Sequence, residues 1–193
     1  MSKAERFIRW VHLNDIKVIA FAFNNTLINR DLHNVILRTS FQYYVDNCSE
    51  DFKSIIFDLL EEKELHIAVV AYMDNEYHLE YDKEIYISGL DLVNKLLCAI
   101  GLNDEQLKKV VKLFRSPKLH NEKFEGKSWH LGKLKTMFNV SPEEILLFEH
   151  SSYNISFSGQ YRNIKVSEKG FSLNDIPLGD KLTDDDWDRI PGI

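Results

Sequence analysis

Ile16-Lys17-Val18-Ile19-Ala20-Phe21-Ala22-Phe23-Asn24-Asn25-Thr26-Leu27 is the stretch whose reading decides the fold. Ile16 to Phe21 is a short, mostly apolar run with β-branched residues, which predicts a strand buried on both faces. Leu65 to Tyr72 and Ile145 to Glu149 repeat the pattern, and Asn163 to Val166 reads as a fourth strand. Helical spacing covers Ala4–Leu13, Leu32–Val45, Asp51–Glu62 behind a Ser49 cap, Leu90–Ile100, Asp104–Phe114 and Trp129–Phe138. Alternation in Tyr77, Leu79 and Tyr81, then Ile85 and Ile87, suggests a small hairpin. Strands separated by helices imply right-handed crossovers. The expected architecture is therefore α/β: a doubly wound, mainly parallel, Rossmann-like sheet with helices on both faces. It fills one domain over 1–180, with an acidic tail at 181–193.

The chain has 193 residues, 44% of them apolar, enough for one substantial core. No run reaches the ~20 uncharged apolar residues of a membrane helix, and MSKAERFIRWVH carries charge where a secretory core would be apolar. The expectation is no membrane and a cytoplasmic location, with the nucleus as an alternative. Cys48 and Cys98 form no CxxC pair, which fits a reducing compartment and argues against structural zinc.

The net charge is −6, unevenly spread: between Lys108 and Lys135 nine Lys/Arg stand against two Glu, so the remainder is acidic. An acidic body repels bulk nucleic acid, while a local basic face could hold phosphate groups. Read as a helix, Asp104–Phe114 and its continuation put Lys108, Lys112 and Arg115 on one face. That face suits an acidic protein, a phosphorylated partner or RNA, or is simply solvated. The terminal Asp184, Asp185, Asp186 and Asp188 surround Trp187, a pattern suited to docking on a partner or on the chain's own body.

In open α/β sheets a ligand sits beyond the carboxyl ends of the strands, near a topological switch point. That rule selects Ala22 to Leu27, Ala71-Tyr72, Gly126-Lys127-Ser128 and Glu149-His150-Ser151. In order and spacing these segments resemble the haloacid dehalogenase (HAD) superfamily, most of all its small magnesium-dependent phosphatases with little or no cap. IKVIAFAFNNTL is similar to the first motif, a strand followed by Asp-x-Asp-x-Thr. The strand ending in AVVAY resembles the second, which normally ends in Ser or Thr. GKSWHLGKL resembles the lysine-bearing third, and ILLFEHSSYNI the fourth, with its two acidic residues and downstream Asn-Ile. VSEKGFS resembles the closing strand and glycine of the fold.

The resemblance implies that Ala22 stands where the family has its nucleophilic aspartate and Asn24 where it has the general acid/base. Ala71 replaces the hydroxyl residue, and Glu149-His150 the metal-binding acidic pair. Lys127 and Thr26 keep the family's residue type. A methyl group offers no electron pair to phosphorus, so an aspartyl phosphate cannot form at position 22. An amide at position 24 exchanges no proton near neutral pH, a loss of about 10²–10⁴ in rate. Magnesium favours carboxylate oxygens in octahedral array, and only Glu149 remains as a weak metal candidate.

No cofactor is therefore expected, with magnesium only for a residual site. Lys127, Asn25 and Thr26 could hold an anion, or Lys127 could simply pair with Glu149. His150 lacks a second histidine at ligand spacing. The leading expectation is a pseudophosphatase, catalytically inactive and working as a protein-binding subunit or adaptor. The alternatives are a hydrolase or phosphatase with a rebuilt active site, using Glu149 or His150 with Lys127, and a module associated with RNA or phosphoproteins through the 108–135 band.

Overall fold

The run read as the first strand forms β1 (Val18–Ala22), all five residues buried, in a computed structural model that describes residues 2–31, 35–73, 82, 84–115, 126–167 and 169–176. The helix before it is α1 (Lys3–Leu13), and the elements that follow are β2 (Val35–Leu37), α2 (Phe41–Asp46), α3 (Glu50–Glu61), β3 (His66–Tyr72), β4 (Tyr86–Ser88) and α4 (Gly89–Ala99). Next come α5 (Asp104–Lys109), β5 (Val110–Arg115), α6 (Ser128–Phe138), β6 (Ile145–Glu149), α7 (Ser152–Ser156) and β7 (Arg162–Lys165).

A five-stranded sheet runs in the order β5-β3-β1-β6-β7 with every pairing parallel. β1 lies at its centre, with Ala22 opposite Val70 on one side and Phe21 opposite Phe148 on the other. The order reverses direction at β1, so the carboxyl ends of β1, β3 and β6 open one crevice. This is the doubly wound parallel architecture expected from the sequence.

Strand alternation sorts the core into two layers. Ile19 and Phe21 join the larger apolar cluster, where Phe21 stacks on Phe148 at 5.2 Å and meets Phe52 and Phe171 edge-on. Val18 and Ala20 face the smaller cluster with Leu131 and Leu134 of α6. Helix starts follow capping chemistry. In α1, Ser2 Oγ accepts from Glu5 N–H while the Glu5 carboxylate accepts from Ser2 N–H. Ser49 Oγ accepts from Phe52 N–H at the start of α3, as its sequence predicts.

Two helical expectations are corrected. Within Leu32–Val45 the described residues form β2, a 3₁₀ turn at Arg38–Ser40 and only then a helix. Val35 and Ile36 pair antiparallel with β4, and Ile87 lies opposite Ile36, so among the described residues Ile87 belongs to a long-range ribbon. Tyr77, Leu79 and Tyr81 fall outside the described residues. In Asp104–Phe114 the helix stops at Lys109 and the chain becomes β5, with Val110 opposite Ile67 and Arg115 opposite Tyr72. Pairing β-branched Val110 and Val111 with a buried strand outweighs a helical spacing that only mimics amphipathicity.

That second correction dissolves the proposed basic helical face. Lys108 is exposed and pairs with Glu105 at 2.7 Å. Lys112 is on the strand, where its Nζ donates to the Leu107 carbonyl and burial pulls its pKa down. Arg115 carries its guanidinium 5.5 Å from the Trp129 ring centre. Trp187 and the acidic tail at 181–193 lie outside the described residues. Among the described residues no helix is long and apolar enough to cross a membrane.

His66 opens β3 with its ring stacked on Phe138 at 3.8 Å, and burial holds its pKa below the ordinary histidine value. A depressed folded-state pKa means that the unfolded chain binds the extra proton, so this contribution is full well above the unfolded pKa and declines as the pH falls through it. Denaturant midpoints should therefore drop between about pH 7.5 and about pH 5.5, and His66→Gln should flatten part of that slope. An unchanged slope in the variant would remove His66 from the account.

Candidate functional site

Three strand ends and two loops enclose a cavity of about 200 Å³ at the switch point. Ala22, Asn24 and Asn25 come from the end of β1 and its loop, Ala71 and Tyr72 from β3, Lys127 from the turn before α6, and Glu149, His150, Ser151 and Asn154 from β6 and α7. Ala22, Asn24, Asn25, Ala71, Lys127, Glu149 and His150, all singled out in the sequence, are brought together in the lining of this cavity. Thr26 is fully buried and absent from the cavity wall. Its carbonyl accepts from Phe171 N–H at 2.7 Å, tying the loop to the C-terminal segment instead of to a ligand. Nor does Asn25 offer its backbone N–H, which donates to the Arg30 carbonyl at 3.1 Å with Asn25 at a φ of 52°.

The floor is a buried ion pair. Lys127 is 5% and Glu149 3% exposed, and Lys127 Nζ lies 3.9 Å from Glu149 Oε2. Glu149 Oε1 accepts from Ser151 N–H at 2.9 Å, and Oε2 accepts from Asn154 Nδ2 at 3.0 Å. Ser151 in turn caps α7, its Oγ accepting from Asn154 N–H. Glu149 is therefore fully engaged in holding the turn that follows its own strand. The Lys127 ammonium makes no hydrogen bond to another described residue and lies 4.8 Å from the Tyr72 ring centre. Burial draws the pKa of Lys127 below the ordinary lysine value, with the Glu149 carboxylate pushing the other way.

Backbone geometry puts Lys127 there. Gly126 has a φ of 52°, and its carbonyl accepts from the Tyr72 hydroxyl. Ser128 Oγ donates to the Phe157 carbonyl, so the turn is held between β3 and α7. His130, one turn into α6, is buried with Nε2 2.9 Å from the Ala71 carbonyl, a packing role in keeping with its helix position.

Sequence reasoning selected Tyr72 only as a strand end and missed Asp31 altogether. Tyr72 sits one place beyond the expected hydroxyl position and supplies both a hydroxyl to Gly126 and a ring to Lys127. Asp31 brings an exposed carboxylate to the pocket rim, where Asn24 Nδ2 donates to its Oδ1 at 3.2 Å. The signal was present as an isolated acid seven residues after Asn24, but only the bridge between Asn24 and Ile28 folds that loop back on itself.

No protein-family model and no curated protein matches this sequence. Solved structures do match. The HAD domain of effector protein Lem4 from Legionella pneumophila, in an inactive mutant, is 9% identical with a TM-score of 0.53; 83% of this chain and 90% of that one are covered. DsGPDH of Dunaliella salina is 8% identical with a TM-score of 0.51, over 86% of this chain and 27% of that one. The deoxy-D-mannose-octulosonate 8-phosphate phosphatase from Haemophilus influenzae, in its cobalt-bound form, is 11% identical with a TM-score of 0.39, over 74% of this chain and 63% of that one. The chain thus spans less than two thirds of the length of the last two proteins.

The expectation of no cofactor, with magnesium only for a residual site, is corrected: the phosphatase from Haemophilus influenzae is cobalt-bound, a property of that protein. The side chains of this pocket are not, however, arranged as the usual oxygen cage. Both oxygens of Glu149 are engaged, position 22 carries a methyl group, and among the described residues no group of three His, Cys, Asp or Glu side chains is placed to hold an ion. Sheet order and the match over most of both chains show that this chain shares the doubly wound α/β fold of the Lem4 HAD domain.

Proposed function

We propose that this chain is a pseudophosphatase: a phosphatase-like domain that performs no phosphoryl transfer and serves as a protein-binding subunit. The observation that carries the proposal is Ala22. It is 2% exposed, lines the cavity at the end of the central strand, and ends in a methyl group where an attacking oxygen would be required. Asn24 beside it points its amide at Asp31 and is no proton carrier near neutral pH. The buried Lys127–Glu149 pair is held by α7 as a structural unit.

A binding role draws support from α7, which closes the pocket wall. Tyr153 and Phe157 are 56% and 43% exposed and meet at 5.0 Å, a paired aromatic surface of the kind protein interfaces use. The test is turnover of an aryl phosphate by the pure full-length chain, run with magnesium and again with cobalt. The expected rate equals that of buffer. Saturable, metal-dependent hydrolysis that Lys127→Met abolishes would overturn the proposal.

A further inference from the structure

The charges around the cavity do not suit a phosphate. Among the described residues they comprise one ammonium, from Lys127 on the floor, and two carboxylates, from Glu149 beside it and Asp31 at the rim. Glu149 also lines the cavity, but each of its oxygens already accepts a hydrogen bond, from Ser151 and from Asn154. The groups left to meet a ligand are a deep cation without a hydrogen bond to any described residue and an exposed anion at the mouth. A doubly charged anion on Lys127 would face both carboxylates in a confined, weakly screened space, and like charges repel most strongly there. A free amine would find Asp31 but leave the Lys127 donors unmet.

We propose that this cavity binds a small zwitterion of the amino-carboxylate class, its carboxylate directed inward to Lys127 and its ammonium outward to Asp31. A molecule of ω-amino acid size suits a cavity of about 200 Å³. Asn24 holds Asp31 in place through the 3.2 Å hydrogen bond, so the outer anion is oriented before a ligand arrives. The proposal concerns the same pocket as the pseudophosphatase reading but does not depend on it, because binding is measured without turnover.

Calorimetric titration of the full-length chain tests it, with glycine, β-alanine and 4-aminobutanoate as probes and butanoate, butylamine and inorganic phosphate as controls. At least one amino acid should bind about tenfold or more tighter than every control, the worth of one added charge contact. Asp31→Asn, an exposed substitution that leaves the core alone, should erase the preference over butanoate by weakening amino-acid binding, while butanoate, relieved of a like charge, binds no more weakly than before. Lys127→Met should abolish binding of both. Phosphate or butanoate binding as tightly as the amino acids, no binding by any amino acid at millimolar concentration, or a preference that survives Asp31→Asn would each overturn the proposal. Should Lys127→Met fail to fold, the ligand panel and Asp31→Asn decide it alone.

Discussion

Gly126→Ala is expected to destabilise the fold by about 3 kcal/mol, at the upper end of ordinary single substitutions. A Cβ at this position would lie 2.7 Å from the Asn154 carbonyl oxygen and 2.9 Å from Phe157 Cβ, the first of which is backbone and cannot rotate away. The φ of 52° adds strain for an alanine, since this left-handed region favours glycine, asparagine and aspartate. Relief would require α7 to move away from the turn before α6, and that movement would break the Ser128 hydrogen bond to Phe157 and withdraw Lys127 from Glu149. Chemical denaturation of Gly126→Ala beside Gly159→Ala makes the comparison. Nothing lies within 4 Å of a Cβ at Gly159, so that control should change stability little. Equal midpoints for the two variants would show that the turn is not wedged as described.

Removing the cation from the buried pair should cost about as much. Lys127→Met keeps the length of the side chain but leaves the Glu149 carboxylate 3% exposed with no counter-charge, and breaking one side of such a pair typically costs about 3–5 kcal/mol. The Ser151 and Asn154 hydrogen bonds persist, so the lower end of that range applies. Adding Glu149→Gln removes the stranded charge while retaining an oxygen for Ser151 N–H. The double variant should therefore recover most of the loss, giving a coupling energy of about 2 kcal/mol in a double-mutant cycle. Additive losses would mean that the two residues do not act as a pair, and the floor of the pocket would need another explanation.

The fold was legible because its information is local and redundant. β1, β3 and β6 each announce themselves as apolar runs, and the helices between them leave few topologies. What could not be read was decided by pairing across the sheet. Val110 to Arg115 carries helical spacing, and only the neighbouring β3 makes it a strand, so a surface built on Lys108, Lys112 and Arg115 had no physical basis. The site divides in the same way. Ala22, Asn24, Ala71, Lys127 and Glu149 were placed because strand ends in a parallel sheet converge. Thr26 is buried away from the cavity wall, where its backbone carbonyl anchors Phe171, a placement the residue type does not announce. Asp31 was missed because a loop's return path depends on hydrogen bonds such as Asn25 N–H to the Arg30 carbonyl, which leave no pattern in the sequence.

Asp31 also defines the rival that the pseudophosphatase reading must face, since it brings a carboxylate to a pocket whose first strand ends in the methyl group of Ala22. Covalent capture separates the two without reference to turnover rate. The full-length chain would be incubated with acetyl phosphate and magnesium, and separately with cobalt, then weighed intact by mass spectrometry. The mass should remain that of the unmodified chain in both. Gain of one phosphoryl group, mapped to Asp31 or Glu149 and lost when that residue is replaced by its amide, would contradict the claim that this scaffold has given up phosphoryl transfer.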